Sequence, residues 1–544
     1  MGRAGQSSED KEKTTLSNQP ASDTDAVTMS EPAATPEPEP QPAPGIPAPG
    51  LRGFARRHWL FALALLAASV PRVVAMLGFQ PAILFRMDSY DYLWGASHIS
   101  PDLVNPSGYS LFLWLLRPLH SLAAVVALQH LMGLGIATMA YAVLRRHGLP
   151  AWGATLGAAP ALFLPAFMLT ETLIMSDLLA MALMVAALGV LLLGSPSLAR
   201  SAAAGLLMGT SAIVRPTTLP LVIAIPLFLL LRRAGWRRAG TALAAGALPV
   251  LGYMGWFAAV HGSVNMSQSN GLFLWSRTMS FADCSVIKPP ADLRQLCPTA
   301  QHGFLAQADP AKRPPPKWYL WMPGLSWPWW HAAPAGTVPD KVPFTAANNT
   351  RALRFAVLAI KAQPLAYAST VAGETIKPFT RNDATLHFPG SQPPFVMDRQ
   401  HLGYALAAVQ DYTGSTAGLA PLIRDGSHFT AQQHGPYAYL MRKYQHLIFL
   451  PGFGLGLIAL AGLAGIALPR RRSAAAILLW LSAVVIIVLP IAEHEYAYRY
   501  ALPAVPLFAM AAALAFRRQG SGEPQAAEGG EPQAAERGEP QAAG

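Results

Sequence analysis

The fold is decided by an apolar run, WLFALALLAASVPRVVAMLGF (59–79), and by the polar, aromatic stretch that follows it, RMDSYDYLWGASHISPDLVNPSGY (86–109). About 20 apolar residues cross the hydrocarbon core of a bilayer, so the polar stretch is predicted to lie just outside the membrane. Its two carboxylates, Asp88 and Asp91, stand among the tyrosines and tryptophan typical of the boundary between lipid and water. Partial desolvation there makes a carboxylate a stronger base than it is in open water. This stretch alone fits a catalytic carboxylate and a solvated loop equally well.

Composition indicates one large membrane body. The chain has 544 residues, of which 52% are apolar and only 13% charged, and its formal net charge is +11. A basic balance is also found in nucleic-acid-binding proteins. Here the arginines separate apolar runs instead of forming one basic face, so we expect the lipid bilayer as a partner and no nucleic acid.

We predict an all-α polytopic membrane protein with about ten transmembrane helices. A large, mostly helical extracytoplasmic segment and disordered cytoplasmic tails complete the prediction. Two runs, 200–214 and 217–231, are short, and a re-entrant pair is the alternative for them. The predicted spans cover 59–79, 121–143, 151–169, 173–193, 200–214, 217–231, 239–260, 446–468, 473–492 and 500–516.

Arginines between the spans set the predicted orientation. Arg145 and Arg146, the arginines of 232–238 and those of 470–472 all fall on one side of the predicted topology. The positive-inside rule makes that side cytoplasmic. We therefore expect a multi-pass protein of the plasma membrane, with both termini cytoplasmic and the active site on the extracytoplasmic face.

The chain divides into parts of different composition. Pro-, Ala- and Glu-rich sequence predicts disorder in both tails, and the second tail repeats GEPQAA. The predicted parts are the N-terminal tail 1–50, the N-terminal transmembrane catalytic module 51–260 with its first outer loop 80–120, the extracytoplasmic segment 261–445, the C-terminal transmembrane helices 446–518, and the C-terminal tail 519–544.

The extracytoplasmic segment has three notable features. Cys284 and Cys297, the only cysteines, lie on the predicted oxidising side, where a structural disulfide is expected and zinc is not. The aromatic stretch WYLWMPGLSWPWWH (318–331) either anchors a loop in the membrane interface or stacks on sugar rings, and anchoring is the more common use. Residues 351–377 have helical periodicity interrupted by charges, which predicts a helix lying on the membrane surface.

Charged residues near the outer face run against the orientation rule and are candidates for function. Taken singly, each is more simply explained by a snorkelling side chain or a structural ion pair. Gathered at one face, they favour a shared site in which arginines grip a lipid phosphate and a carboxylate takes a proton from a hydroxyl. The candidates are Arg72, Asp88, Glu171, Asp177, Arg215, Glu493, Glu495 and Arg499.

A series of motifs resembles those of the GT-C glycosyltransferases, in the branch of the protein O-mannosyltransferases and lipid A aminoarabinose transferases. DSYDYLWGA (88–96) resembles the D-[ED]-x-x-Y-x-x-x-A pattern of their first outer loop, and NPSGYSLFLWLL (105–116) the H-P-P-x-Y stretch that follows. TETLIMSDLLA (170–180) is similar to their S-E-x-L-x-x-D turn, IVRPTTLP (213–220) to their R-P turn, and YRYALPAVPL (498–507) to the R-Y-x-x-P opening of their last helix.

The resemblance implies a phospholipid-carrier-dependent glycosyltransferase. Such an enzyme moves a hexosyl or pentosyl group from a polyprenyl-phosphate sugar to a hydroxyl acceptor on protein, lipid or glycan. Asp88 would be the general base, the reaction would invert the anomeric carbon, and two arginines would neutralise the leaving phosphate. The implied substrate-binding residues are Tyr92, Tyr109, Glu171, Asp177, Arg215 and Arg499.

This chain departs from the family pattern at the first two motifs. Ser89 stands where the family has a second acid, and Asn105 and Ser107 replace a histidine and a proline. The first departure removes a ligand from any metal held there. We therefore expect no required cofactor and leave a divalent cation open.

Two other functions share some of these features. A lipid or ion transporter also carries intramembrane charges, but transporters often show paired halves, and the 86–109 stretch has no second copy. An oligosaccharide ligase or polymerase would share the basic outer face, and only the motifs favour the glycosyltransferase over it.

Overall fold

The computed structural model describes residues 51–321, 343–381, 387–389, 399–425, 429–468 and 473–516. The predicted tails 1–50 and 519–544, residues 322–331 of the aromatic stretch and the arginines of 470–472 lie outside the described residues. By internal contacts the chain divides into two units, Met1–Phe54 and Ala55–Gly544. Every element except the first turn of the first helix belongs to the second unit.

Helices dominate the described chain, as predicted. In the first part of the chain they are α1 Leu51–Gly78, α2 Arg86–His98, α3 Gly108–Leu116, α4 Leu122–Arg146, α5 Ala151–Phe163, α6 Pro165–Thr172, α7 Ser176–Leu192, α8 Leu198–Val214, α9 Leu219–Leu231 and α10 Trp236–His261, with strand β1 Phe79–Phe85 between α1 and α2.

The predicted extracytoplasmic segment 261–445, called the outer segment below, is built from shorter helices, and the last part of the chain returns to long apolar ones. The elements are α11 Asn270–Thr278, α12 Cys284–Ile287, α13 Trp318–Trp321, α14 Ala346–Ala362, α15 Pro364–Thr375, α16 Lys377–Thr380, α17 Arg399–Thr413, α18 Ala420–Asp425, strand β2 Phe429–Gln433, α19 Gly435–Leu447, α20 Gly452–Ala467, α21 Ala474–Glu493, α22 Tyr498–Ala501 and α23 Ala504–Ala515.

Five helical segments of the described chain are long and apolar enough to cross a membrane, or up to eight if each sharply bent pair is one span. The helices α7, α8 and α9 are apolar but shorter. Every predicted span coincides with at least one described helix. The count of about ten spans and the orientation stay predictions. The five segments are Arg56–Gly78, Leu122–Arg146, Trp236–His261, Ala474–Glu493 and Tyr498–Ala515.

Prolines bend two segments that the sequence predicts as single helices. The predicted span 151–169 breaks at Leu164, which is extended because Pro165 follows it, and α5 and α6 meet at 50°. The predicted surface helix 351–377 breaks at Gln363, ahead of Pro364, and α14 meets the next helical segment at 99°. In each case the proline ring excludes the preceding residue from the helical conformation.

A two-stranded antiparallel sheet joins parts of the chain far apart in sequence, and the sequence gives no prediction of it. Strand β1 pairs with β2, with Phe79 opposite Gln433 and Phe85 opposite Phe429. The backbone N–H of Ile174 also donates to the carbonyl of Ile83, at 3.1 Å. The sheet therefore ties the first outer loop to the segment ahead of α19 and to the turn between α6 and α7.

Small residues let the apolar helices approach closely. Where α8 crosses α10, a Cβ on Gly205 or Gly209 would overlap a backbone carbonyl, that of Ala242 or Gly246 respectively. In a bilayer, helices associate through such close van der Waals packing, because lipid tails are as apolar as the side chains. Gly205 and Gly209 are four residues apart and so share one face of α8.

Candidate functional site

The helix α2 is held so that Asp88 stays partly open. Its neighbour Ser89 is fully buried, accepts a hydrogen bond from the backbone N–H of Phe85 at 2.7 Å and donates one to the carbonyl of Ile174 at 2.9 Å. These bonds fix the first turn of α2 against the turn between α6 and α7. The Asp88 side chain, one residue earlier, keeps 33% of its surface exposed.

Two ion pairs meet at one tyrosine ring. Asp88 Oδ2 accepts from Arg499 Nη1 at 3.1 Å, and Asp177 is paired with Arg215. The guanidinium carbons of Arg215 and Arg499 each lie 5.1 Å from the centroid of the Tyr500 ring, a cation–π arrangement. We call Asp88, Asp177, Arg215, Arg499 and Tyr500 the charge cluster. It combines two carboxylates with two guanidinium groups beside a partly open surface.

A small cavity extends from the charge cluster between the apolar helices. Asp177, Arg215 and Tyr500 line it, together with Met181 and Pro490. Its volume of about 10 Å³ is room for about one water molecule. The cavity is therefore too small for a molecule the size of a sugar.

The second acid of the stretch, Asp91, faces a different partner. Its Oδ1 accepts a hydrogen bond from the Tyr404 hydroxyl of α17 at 2.7 Å. Asp91 thus links the first outer loop to the outer segment and is not part of the charge cluster.

Tyr92 and Tyr109 are core residues beneath the cluster. The Tyr92 hydroxyl is hydrogen-bonded to Ser176 Oγ at 2.9 Å, and its ring meets that of Tyr109 edge to face at 5.0 Å. The Tyr109 hydroxyl donates to Gln129 Oε1 at 2.7 Å. Burial raises the pKa of both tyrosines, so both hydroxyls stay protonated. Their hydroxyl groups have protein partners and support the turn that carries Asp177.

Glu171 lies in a separate buried cluster, although it is close to Asp177 in sequence. Its side chain is 0% exposed and bridges Arg72 and His130, each at 2.7 Å. Arg72 also donates to the carbonyls of Ala161 and Leu162, next to the α5–α6 break. The geometry brings Asp88, Asp177, Arg215 and Arg499 together but places Glu171 and Arg72 in this buried cluster.

A third set of polar residues holds the chain just before Arg499. Glu374 accepts from Arg277 at 2.8 Å and from the backbone N–H of Tyr496 at 2.9 Å, while Arg277 also donates to the carbonyl of His494. Burial first, and then the charge of Arg277, lowers the pKa of His494 to about 3, so its ring is neutral at pH 7. Glu495 contacts Lys317, with 3.8 Å between Oε1 and Nζ. These contacts anchor α11, α13 and α15 to the segment that leads into α22.

Some of these roles were not expected from the sequence. Tyr500 joins the two arginines, and His130 and Arg277 are buried partners of acids. A signal existed for Arg277, a lone arginine in the otherwise uncharged NGLFLWSRT (270–278). Nothing in the sequence distinguishes His130 from an ordinary histidine in an apolar helix.

The region around Asp88 does not fit a divalent cation. Within the described residues, no group of three or more His, Cys, Asp or Glu side chains could hold a metal ion. Asp88 faces a guanidinium group, and the hydroxyl of Ser89 is already committed to backbone partners.

In the outer segment, the structure joins Cys284 and Cys297 in a disulfide, as predicted. Cys297 packs in a buried hydrophobic cluster with Trp275 and Leu296. The described contacts of the disulfide are thus those of the outer segment's hydrophobic core.

The fold and site together describe an all-α protein with several helices apolar and long enough to cross a membrane, and with acids and arginines paired next to those helices. No family model and no curated protein sequence matches the chain.

Three solved structures of the oligosaccharyltransferase of Archaeoglobus fulgidus are similar to it, each at 13% identity over 84–85% of this chain and 50% of theirs. They show that protein in the apo form, tethered to an acceptor peptide, and in complex with an inhibitory peptide and a dolichol-phosphate; the TM-scores are 0.35, 0.35 and 0.37. This chain thus spans about half the length of those proteins.

Proposed function

We propose that the protein transfers a sugar from a polyprenyl-phosphate donor to a hydroxyl acceptor at the outer face of the membrane. The observation that carries the proposal is the charge cluster, in which Asp88 and Arg499 form a partly exposed pair and Arg215 lies across the ring of Tyr500. One carboxylate can serve as the base, and two guanidinium groups can neutralise the phosphate.

The arginines suit the phosphate of the donor. Guanidinium groups bind phosphate oxygens through paired, charge-assisted hydrogen bonds. Arg499 is paired with Asp88 at 3.1 Å, and both side chains are partly exposed. A phosphate that binds Arg499 competes with Asp88 for the same guanidinium group, so donor binding would free the carboxylate.

The freed carboxylate would then act as the general base. Asp88 takes the proton from the acceptor hydroxyl as the acceptor oxygen attacks the anomeric carbon from the side opposite the phosphate. The bond between the anomeric carbon and the phosphate oxygen breaks, and its electron pair leaves with the polyprenyl phosphate. Arg215 and Arg499 stabilise the charge that develops on that phosphate. The configuration at the anomeric carbon is inverted.

Two substitutions at neighbouring acids test the assignment of the base. Asp88→Asn keeps the shape of the side chain but removes its basicity, so transfer should fall by about 10²–10⁴-fold while lipid-phosphate binding survives. Asp91→Asn is the matched control, because an amide oxygen can still accept from the Tyr404 hydroxyl. Arg499→Ala should instead weaken phosphate binding, because it removes the counter-charge.

The assay is transfer from a polyprenyl-phosphate sugar by the purified full-length protein in lipid, with donor binding measured separately. If Asp91→Asn abolishes transfer and Asp88→Asn does not, the base has been assigned to the wrong acid. If neither substitution changes transfer, the charge cluster is not the active site.

A further inference from the structure

A second and larger cavity lies away from Asp88. It has a volume of about 210 Å³ and is bounded by the α5–α6 break, the residue after α16, and the connection from α19 to α20. We call it the interfacial cavity. None of the described residues that line it is acidic, and neither Asp88 nor Arg499 is among them.

One wall of the interfacial cavity is basic. Arg381, His387 and His446 line it, and the centroids of the two imidazole rings are 6.4 Å apart. The backbone N–H of Phe388 donates to the side-chain oxygen of Gln445 at 2.8 Å. That bond fixes the residue next to His387 against α19, which carries His446, so the two histidines are held on the same side of the cavity.

The other wall of the interfacial cavity is apolar and continues onto an apolar surface. Pro165, Phe449 and Leu450 line this wall, and the Phe449 side chain is 58% exposed. Leu447 and Phe453, on either side of Phe449 in the chain, are also highly exposed. Exposed apolar side chains at the ends of apolar helices are expected to face lipid. A ligand of this cavity can therefore have an anionic head and an apolar tail.

We propose that the interfacial cavity binds the phosphate headgroup of an anionic membrane lipid. Arg381, His387 and His446 bind the phosphate, and the lipid chains leave past Phe449 and Leu450. Basic side chains bind phosphate oxygens through charge-assisted hydrogen bonds.

The interfacial cavity also contacts the chain beside the charge cluster. Tyr498 lines it, while Tyr500, two residues later, lies between the arginines of the charge cluster. The short helix α22 therefore contributes one residue to the interfacial cavity and one to the charge cluster. The lipid site does not depend on the transfer reaction, because Asp88 is not among its residues.

The test is a binding measurement on the full-length protein in a non-ionic detergent. Native mass spectrometry would count bound molecules after addition of phosphatidylglycerol, a polyprenyl monophosphate or inorganic phosphate. The double variant Arg381→Gln/His446→Gln should lower lipid affinity about tenfold or more, because it removes charge-assisted hydrogen bonds to the phosphate. Lys443→Gln, which removes a cation from the same helix but outside the cavity, should leave the affinity unchanged.

The variants separate a binding defect from misfolding. Arg381→Lys keeps the positive charge, so it should bind lipid more tightly than the double variant does. Without lipid, the thermal unfolding of each variant should match that of the wild type. Selective binding of phosphatidylglycerol or of the polyprenyl phosphate supports the site and identifies its lipid. The proposal is overturned if the double variant binds lipid as tightly as the wild type does. It is also overturned if inorganic phosphate binds as tightly as the lipids, or if neither lipid binds.

Discussion

Replacing Gly133 with alanine adds one methyl group where α4 meets the buried carboxylate of Glu171. A Cβ at this position would overlap the carboxylate and lie 3.1 Å from the Cγ atom of Glu171. Glu171 cannot move away freely, since Arg72 and His130 each hold it at 2.7 Å. The substitution therefore either overpacks this buried position or weakens the ion pairs of Glu171 with Arg72 and His130.

The size of the effect follows from these contacts. Overpacking a buried position costs about 1–3 kcal/mol, and each hydrogen bond to a charged group contributes about 1.5–3 kcal/mol to stability. Alanine offsets up to about 1 kcal/mol of this loss through its higher helix propensity. We expect Gly133→Ala to lower the free energy of unfolding by about 2–4 kcal/mol.

Gly135→Ala is the matched control on the same helix. A Cβ at Gly135 has nothing within 4 Å, so this variant should be neutral or more stable by up to about 1 kcal/mol. Equilibrium unfolding of both variants in mixed micelles, followed by tryptophan fluorescence, gives the comparison. Equal unfolding free energies for the two variants would refute the packing argument.

The same assay decides what Glu171 does. If the carboxylate holds the helices together, Glu171→Gln should lower stability by about 3–5 kcal/mol, because Arg72 is left as a buried charge without its counter-ion. If Glu171 binds substrate, as the family resemblance implies, the variant should keep its stability and lose substrate affinity instead.

Two further predictions concern the outer segment. Glu374→Gln should destabilise the protein by about 3–5 kcal/mol, because the buried Arg277 loses its counter-ion. The control Asp292→Asn breaks an exposed ion pair and should cost about 1 kcal/mol or less. Equal thermal unfolding of the two variants would contradict this prediction. Reducing the disulfide between Cys284 and Cys297 should lower stability by about 3 kcal/mol without altering the chemistry, and a non-reduced digest that contains both peptides as free thiols would show that the bond does not form.

Much of the helical framework is determined by the sequence, because apolar runs of this length have few alternatives in a bilayer. Each predicted span coincides with a described helix. The bends at Leu164 and Gln363 were also open to prediction, since each precedes a proline.

The pairing of charges was decided by tertiary structure. Glu171 and Asp177 lie in one short motif, and the sequence offers both as members of one site. In the fold Glu171, at the end of α6, points to Arg72 and His130, while Asp177, at the start of α7, pairs with Arg215.

The same holds for the contacts that join distant parts of the chain. Asp88 and Arg499 are 411 residues apart, and β1 pairs with a strand that precedes α19. Local pattern specifies which segments are helical and which face of each is apolar, because these properties depend on neighbouring residues. It cannot specify which charges meet, because that depends on how the helices cross and where prolines bend them.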